Sequence, residues 1–501
     1  GRDDKGKPER TAKCREAFQA LHQELLAGLD IPEAAALLRF LANPPSQHPK
    51  VEELWGDMAA ANLVFRVGQT YVHELGALKA IWSERMRGNE SAGEGEPAVG
   101  NGICLVTGEK APVATLHPPI KGVAGAQSSG AGLCSYNLPA FESFGKKQNL
   151  NGPISRSAAF GYTTSLNHLI KHPRQSLRLG AATVVCWAER ATPLEDNLLE
   201  LFNGSQPASS LEADVVSAAE RAGLLRRLGR GLPVTEAWPE LDPGVSMHVL
   251  GLAPNASRLS VSFYLQEPSG EFLEHIRKYY GDLAITHRFE GEAEFPSVWQ
   301  IARAVLGPHK KATDVERLGE DILRAALSGH PYPSYLLPMA LQRLRSGDEH
   351  SSVRIGLIKA MLIRNYQLNP EKEASMSLNP DHSSPAYQLG RLFALLVGVQ
   401  RKAIGQQINA DIRDKYYGSA SATPALVFPL LLRNAQNHIS KAQAHGYDKL
   451  IRDVLEHIND EFPAHLDLKD QGLFALGYYH QRAEKAVKQD EDNNHANPEQ
   501  A

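Results

Sequence analysis

The chain has 501 residues, 42% hydrophobic and 22% charged, with a formal net charge of −4. At roughly 100–200 residues per domain this allows two to four domains with filled cores, and the near-neutral balance excludes a uniformly basic nucleic-acid binder, so any such binding must sit in a local patch. The longest apolar run, around Leu392–Val399, is far short of the ~20 residues of a membrane helix, and the polar N-terminus lacks a signal-peptide core, so a cytoplasmic location is expected.

Residues Thr11–Leu29 and Ile31–Leu41 carry apolar residues at helical spacing, with Asp30 placed to cap the second stretch. Ala59–Tyr71 alternates as a strand does, and Glu74–Met86 returns to helical spacing. Asn89–Gly102 is a Gly/Ser/Glu loop. From Ile103 to Asn151 the abundance of Gly, Ser, Asn and Pro predicts strands and structured loops. Ala158–Ile170 then reads as a helix and Ala181–Ala188 as a buried strand. Asn197–Phe202 and Leu211–Leu228 read as helices ended by Gly204 and Gly229. Ser246–Leu252 and Arg258–Leu265 read as strands joined by the turn Ala253–Ser257, followed by a helix over Glu271–Tyr280.

After Ser297 the pattern becomes helical throughout. Ile301–Val305, Asp314–Leu327, Tyr335–Leu344, Val353–Tyr366, Ala386–Ile412, Pro424–Ala444, Tyr447–Ile458 and Gln471–Val487 fit helices punctuated by Pro and Gly. The polar end, Lys488–Ala501, reads as a disordered tail. The fold class expected is α+β: a mixed α/β N-terminal region followed by an all-helical C-terminal bundle. Cys14, Cys104, Cys134 and Cys186 have no CxxC spacing and read as buried thiols rather than metal ligands or disulfides.

Local charge is the most informative feature. Between His117 and Arg178 lie Lys121, Lys146, Lys147, Arg156, Lys171, Arg174 and Arg178, against the single carboxylate Glu142. The same stretch supplies Gln127, Ser128, Ser129, Asn137, Asn149 and Asn151, four glycines (Gly122, Gly125, Gly130, Gly132), and the aromatics Tyr136, Phe141, Phe144, Phe160 and Tyr162. Lysines neutralise phosphates and release counterions. Asn and Gln side chains pair with base edges, and aromatics stack on unpaired bases. A solvated basic loop with glycines at its turns is the plainer reading of the same composition.

Enzymatic readings find little support. A P-loop ends in GK[ST] and opens a helix, whereas Gly132 is followed by Leu133-Cys134-Ser135. Ser128 and Ser129 lack the G-x-S-x-G elbow, no HExxH is present, and Asp490-Glu491-Asp492 falls in the polar tail. His117 precedes Pro118 without a neighbour at metal spacing, and Tyr478-Tyr479-His480 on a helix reads as packing. No catalytic residue, metal or cofactor is expected. A nucleotide-dependent enzyme using Gly122–Gly132 and a purely structural scaffold remain as alternatives.

Several blocks resemble the large subunit of the type I-C CRISPR surveillance complex, Cascade. They include Cys104-Leu105-Val106-Thr107-Gly108-Glu109, His117-Pro118, Ile120-Lys121-Gly122-Val123, Gln127-Ser128-Ser129-Gly130-Ala131, Ser135-Tyr136-Asn137 and Phe141-Glu142-Ser143-Phe144-Gly145. Further on come His248-Val249-Leu250-Gly251-Leu252, Arg258-Leu259-Ser260, His330-Pro331-Tyr332-Pro333 and Leu389-Gly390-Arg391-Leu392-Phe393-Ala394. The last are Tyr416-Tyr417, Ser419–Pro424, Asp470–Phe474 and Gly477-Tyr478-Tyr479-His480-Gln481. The blocks span almost all of Ala59–Arg482, and their order and spacing are more specific than any one of them. Two departures stand out: members of the family usually carry a further N-terminal stretch, and Phe144 stands where Tyr is commoner.

The resemblance implies a non-catalytic subunit of a crRNA-guided complex that reads a short PAM, helps open target double-stranded DNA and supports the R-loop. Its implied partners are crRNA, the Cascade backbone and crRNA-processing subunits, a small subunit, and a separate helicase–nuclease that cuts the DNA. It also implies that the small subunit arises by internal translation of the C-terminal part, for which Met376 is the first choice and Met361 the second; both are alternatively ordinary core methionines. The corresponding division is a shortened N-terminal region over 1–102, an α+β DNA-facing region over 103–296, a helical connector over 297–375, a bundle resembling the small subunit over 376–487, and the tail 488–501. Lys121, Lys146 and Lys147 are the phosphate candidates. Gln127, Ser128, Ser129, Asn137, Asn149 and Asn151 are the base-edge candidates, with the crRNA handle as a rival ligand. In the bundle, Arg391, Arg401, Lys402, Arg413 and Lys415 are the residues available to DNA.

Overall fold

The computed structural model describes residues 8–42, 63–88, 101–136, 138–179, 182–202, 220, 222–228, 232–289, 291–307, 311–405, 411–442, 444–458 and 461–496. The chain divides into two compact units, Gly1–Pro118 with Cys134–Thr163, and Pro119–Leu133 with Thr164–Ala501. The helix Arg156–Lys171 therefore begins in one unit and ends in the other.

In the first unit, helices Pro8–Leu26 and Pro32–Ala42 join the hairpin β1 (Arg66–Val67) and β2 (Thr70–Tyr71) and the helix Gly76–Gly88. Their shared core is small: Leu25, Leu26, Ala34, Leu37 and Val72. Two further strands, β3 (Asn101–Ile103) and β4 (Lys110–Pro112), pair antiparallel, and 3-10 turns occupy Pro139–Phe141 and Gln148–Asn151. The expected strand over Ala59–Tyr71 is instead a tight hairpin around Gly68, which takes a positive φ of 61°; residues 59–62 lie outside the described part.

The second unit contains an antiparallel sheet of β5 (Ser176–Leu179), β6 (Ala182–Ala188), β7 (Ser246–Asn255) and β8 (Arg258–Pro268), in that order. Val184, Cys186, Met247, Val249 and Phe263 project into one core with the helices. The helix Ser269–Leu283 shows why the sequence folds so: Phe272, Leu273, Ile276, Tyr279, Tyr280 and Leu283 form one buried stripe at helical spacing. Each such side chain contributes roughly 1.5–3 kcal/mol of burial free energy.

The helices that follow are bounded by the expected local chemistry. Ser297 and Gln300 form a capping box before Val298–Leu306, and Asp411 and Asp414 form another before Ile412–Ala420. Helices Pro385–Ile404 and Leu468–Ala496 cross at two glycines. A methyl group on Gly390 would collide with Phe474 O, and one on Gly477 with Tyr387 O, so only glycine permits the backbones to approach this closely.

Several boundaries differ from those expected. The stretch Ala386–Ile412 is not one helix: it stops at Gly405, with φ of 90°, and a new helix starts at the Asp411 cap. The turn expected over Ala253–Ser257 shrinks to Ala256-Ser257, because β7 and β8 stay paired out to Asn255 and Arg258, with Ala256 at positive φ closing the hairpin. Asn197–Phe202 forms only a 3-10 turn over Glu200–Phe202. Of Leu211–Leu228, residues 222–228 are helical; Gly204 and Gly229 lie outside the described residues. The last helix continues to Ala496, past the start of the expected tail at Lys488; the polar run contains good helix formers, and the first proline after it is Pro498. Cys104 and Cys186 are buried, whereas Cys14 is exposed and Cys134 partly so, and none forms a disulfide. Among the described residues no helix is long and apolar enough to cross a membrane.

Candidate nucleic-acid interface

The candidate residues fall into two patches, one in each unit. In the second unit, residues 119–133 form a loop fixed along its length. Ile120 and Ala131 exchange both backbone hydrogen bonds, at 3.0 and 2.9 Å. Leu259 N–H donates to Gly132 O at 2.9 Å, bringing the loop's end onto the start of β8. Lys121 N–H donates to Asn167 Oδ1 at 2.8 Å, and Ala124 N–H to Thr183 Oγ1 at 3.0 Å. Gly122, Gly125 and Gly130 all take positive φ, and a Cβ on Gly130 would press on Pro119, Ile120 O and Lys121. The glycines therefore shape this loop. The side chains of Lys121, Gln127, Ser128 and Ser129 are exposed at its surface, with no hydrogen-bond partner for them among the described residues.

In the first unit, the stretch from Leu138 to Gly152 is organised by one side chain. Asn151 Oδ1 accepts from Ser143 N–H at 2.9 Å, while its Nδ2 donates to Lys146 O at 2.9 Å and Gln148 O at 2.8 Å. Within this frame Lys146 N–H closes a turn onto Ser143 O at 3.0 Å. Its two central residues, Phe144 (φ 53°) and Gly145 (φ 69°), both lie in the left-handed region, as turns of type I′ require. A phenylalanine held there costs on the order of 1 kcal/mol or more. Phe144 is 98% exposed. Lys146 and Lys147 are exposed beside it, without a described partner.

The base-edge candidates separate accordingly. Asn149 is buried and its Nδ2 donates to Ala114 O at 3.1 Å, so its amide serves the fold of the first unit. Asn151 is occupied as the organiser of its loop. Asn137 lies outside the described residues. Among the described base-edge candidates, Gln127, Ser128 and Ser129 keep their side chains turned to solvent without a bond to the chain. In the C-terminal bundle the same sorting applies. Arg391 is buried against Gln481, Gln388 and Pro380 O; Arg401 pairs with Asp411 at 2.6 Å; and Arg413 donates to Gly347 O and Asp348 O. Lys402 and Lys415 remain exposed.

The groups that tempt a catalytic reading are held inside the fold. His117 Nδ1 lies 2.7 Å from the Tyr162 hydroxyl, and burial lowers its basicity. The enclosed Cys104 sulfur accepts Ser155 N–H at 3.2 Å. Burial pushes its pKa up, but the bonds from Ser155 and Thr107 together outweigh that and hold it at about 6. Tyr478, Tyr479 and His480 are all buried, and His480 Nδ1 pairs with the Tyr387 hydroxyl at 2.8 Å. Gly132 is followed by bends at Leu133 and Cys134 rather than by a helix, so no helix N-terminus stands at the loop's end to receive a phosphate. Among the described residues no group of three or more His, Cys, Asp or Glu is arranged to hold a metal.

Two aromatic features escaped the sequence reading. One is the left-handed turn at Phe144, whose only sequence signal is the glycine that follows it. The other is a stack across β6, β7 and β8, with Trp187 and His248 centroids 5.0 Å apart, His248 and Tyr264 6.1 Å apart, and His248 Nδ1 2.8 Å from the Tyr264 hydroxyl. The carboxylate of Glu189 lies 3.9 Å from His248 Nε2, a charge that does not favour a phosphate there.

The family model described as CRISPR-associated protein (Cas_Csd1) matches residues 1–486. No curated protein matches the chain. The chain belongs to the Cas_Csd1 family of CRISPR-associated proteins, as the ordered sequence blocks imply.

Proposed function

We propose that this Cas_Csd1 protein is the non-catalytic large subunit of a type I-C, crRNA-guided DNA surveillance complex, and that its two mid-chain loops contact target DNA beside the PAM. The observation that carries this reading is the combination of fixed backbone and unspent side chains. Lys121, Gln127, Ser128 and Ser129 on one loop, and Lys146 and Lys147 on the other, are exposed on backbones already ordered by internal bonds. Such residues bind without first having to order the chain. Lysines supply the sequence-independent contacts to phosphate, and the amide and hydroxyls supply contacts to base edges. Duplex opening, R-loop support and recruitment of a helicase–nuclease complete the role, with strand cleavage left to that partner. The other partners are crRNA, the backbone and crRNA-processing subunits and the small subunit, and the setting is the cytoplasm.

An internal start at Met376 fits the fold better than one at Met361. Met361 lies buried within the helix Ser352–Tyr366, so a product starting there would begin inside a helix. Met376 is exposed and precedes the first helix of the C-terminal bundle, Pro385–Ile404.

The test is binding of the reconstituted complex to duplexes with an intact or scrambled PAM. Lys121→Ala is expected to weaken both duplexes alike and lower the salt slope by about 1. Gln127→Ala is expected to reduce discrimination between them. Unchanged affinity, slope and discrimination in both variants would reassign this loop to crRNA or to another subunit.

A further inference from the structure

We infer that Phe144 is a stacking platform for one unpaired nucleobase of single-stranded nucleic acid, with Lys146 and Lys147 holding the adjoining phosphates. The inference deepens the nucleic-acid reading proposed above and rests on it. Its starting point is a conflict between residue and backbone. A turn whose central residues both have positive φ favours Gly, Asn or Asp. This one places phenylalanine there, at φ 53°, and leaves the ring 98% exposed. The ring therefore gains almost nothing from burial in its own unit, while the backbone bears a conformation that glycine would adopt without strain. Strain retained without compensating packing marks a residue whose contact comes from outside the chain.

The surroundings select the class of that contact. Lys146 and Lys147 follow after Gly145 and have no described partner, and the one carboxylate between His117 and Arg178 in sequence, Glu142, accepts Gln148 N–H at 3.3 Å within the same loop. An exposed ring beside two cations that form no ion pair among the described residues suits a base attached to phosphates. Phe has no polar tip, so it offers a face for stacking rather than a hydrogen bond. A base within a duplex is already stacked on both sides, so the partner is unpaired. The three bonds made by Asn151 keep the ring presented before the ligand arrives.

The experiment uses an oligodeoxynucleotide carrying 2-aminopurine, whose fluorescence falls when it stacks, titrated with the full chain and with the reconstituted complex. Phe144→Ala and Phe144→Gly are expected to lose the quenching and to bind about 5- to 150-fold more weakly. Phe144→Trp should keep both. Phe144→Gly should melt at or above the wild-type temperature, since glycine adopts the turn freely. Wild-type quenching and affinity in Phe144→Gly would overturn the inference, as would a melting temperature well below wild type. So would loss of subunit assembly with single-strand binding unchanged, which would make the ring a protein contact. A Lys146→Ala/Lys147→Ala variant separates the two levels. If it weakens binding while the Phe144 variants do not, only the stacking role falls. If neither set has any effect, the nucleic-acid reading of this loop falls with it.

Discussion

The cations of the mid-chain loops and those of the helical region are the same residue types put to opposite uses. In the helical region Arg364 is 7% exposed and donates to Asp282 at 2.6 Å and to Ala325 O at 3.2 Å, with its guanidinium over the Tyr332 ring. Lys359 is buried and donates to Gly281 O and Asp282 O, satisfying the carbonyl end of the helix Ser269–Leu283. Desolvation lowers its pKa to about 8. In the loops, Lys121, Lys146 and Lys147 touch none of the described acidic groups. A cation inside the fold is spent on stability; one on a fixed, exposed loop is left free of the fold's own bonds. The difference teaches that a count of Lys and Arg locates a nucleic-acid surface only after the structurally engaged ones are subtracted.

The widest break in that comparison is expected from Arg364→Ala, which leaves Asp282 buried without its partner. Unfolding by denaturant should show a loss of about 3–5 kcal/mol. A loss below about 1 kcal/mol would place this cation among the dispensable ones.

Acid is expected to act next most strongly, and most of all on the helical region, where His480 and His350 are enclosed. Burial, the largest effect on His480, holds its pKa at about 3 against an ordinary 6.5. The unfolded chain therefore takes up this proton near pH 6.5 while the folded chain resists until about pH 3. Stability from this group is complete above 6.5 and drains away as pH falls between those values, by up to a few kcal/mol. His350, enclosed and near Arg413 and Arg482, shifts in the same direction. Melting temperatures followed from pH 7.5 to 4 should fall less steeply in His480→Gln than in wild type; parallel curves would remove His480 from the acid response.

The smallest effect on stability should come from Lys146→Ala/Lys147→Ala, within about 0.5 kcal/mol of wild type. The salt slope of nucleic-acid binding should nevertheless drop by about 1 per lysine removed. Destabilisation without a change of slope would put these lysines with the structural set.

Much of the architecture was legible because it depends on local rules. Helical spacing located Ser269–Leu283, and Gly405 with the Asp411/Asp414 cap marks a helix break that a longer apolar pattern obscured. The loop site was legible only as composition. Asn149, Asn151 and Gln127 are equivalent as letters, yet one is buried on Ala114 O, one organises a turn, and one faces solvent. Arg391 and Lys402, on one helix, divide in the same way.

By itself the sequence determined the order of elements, the helical character after Ser297, the concentration of positive charge between His117 and Arg178, and the ordered blocks that place the chain in its family. Those follow from periodicity, capping and composition, which act over a few residues. Tertiary structure decided which polar groups are spent and which remain free, why Gly390 and Gly477 must be glycines, and that Phe144 is fully presented to solvent. Desolvation and hydrogen-bond pairing depend on neighbours brought together from distant parts of the chain, as Asp282 meets Arg364 and Tyr387 meets His480.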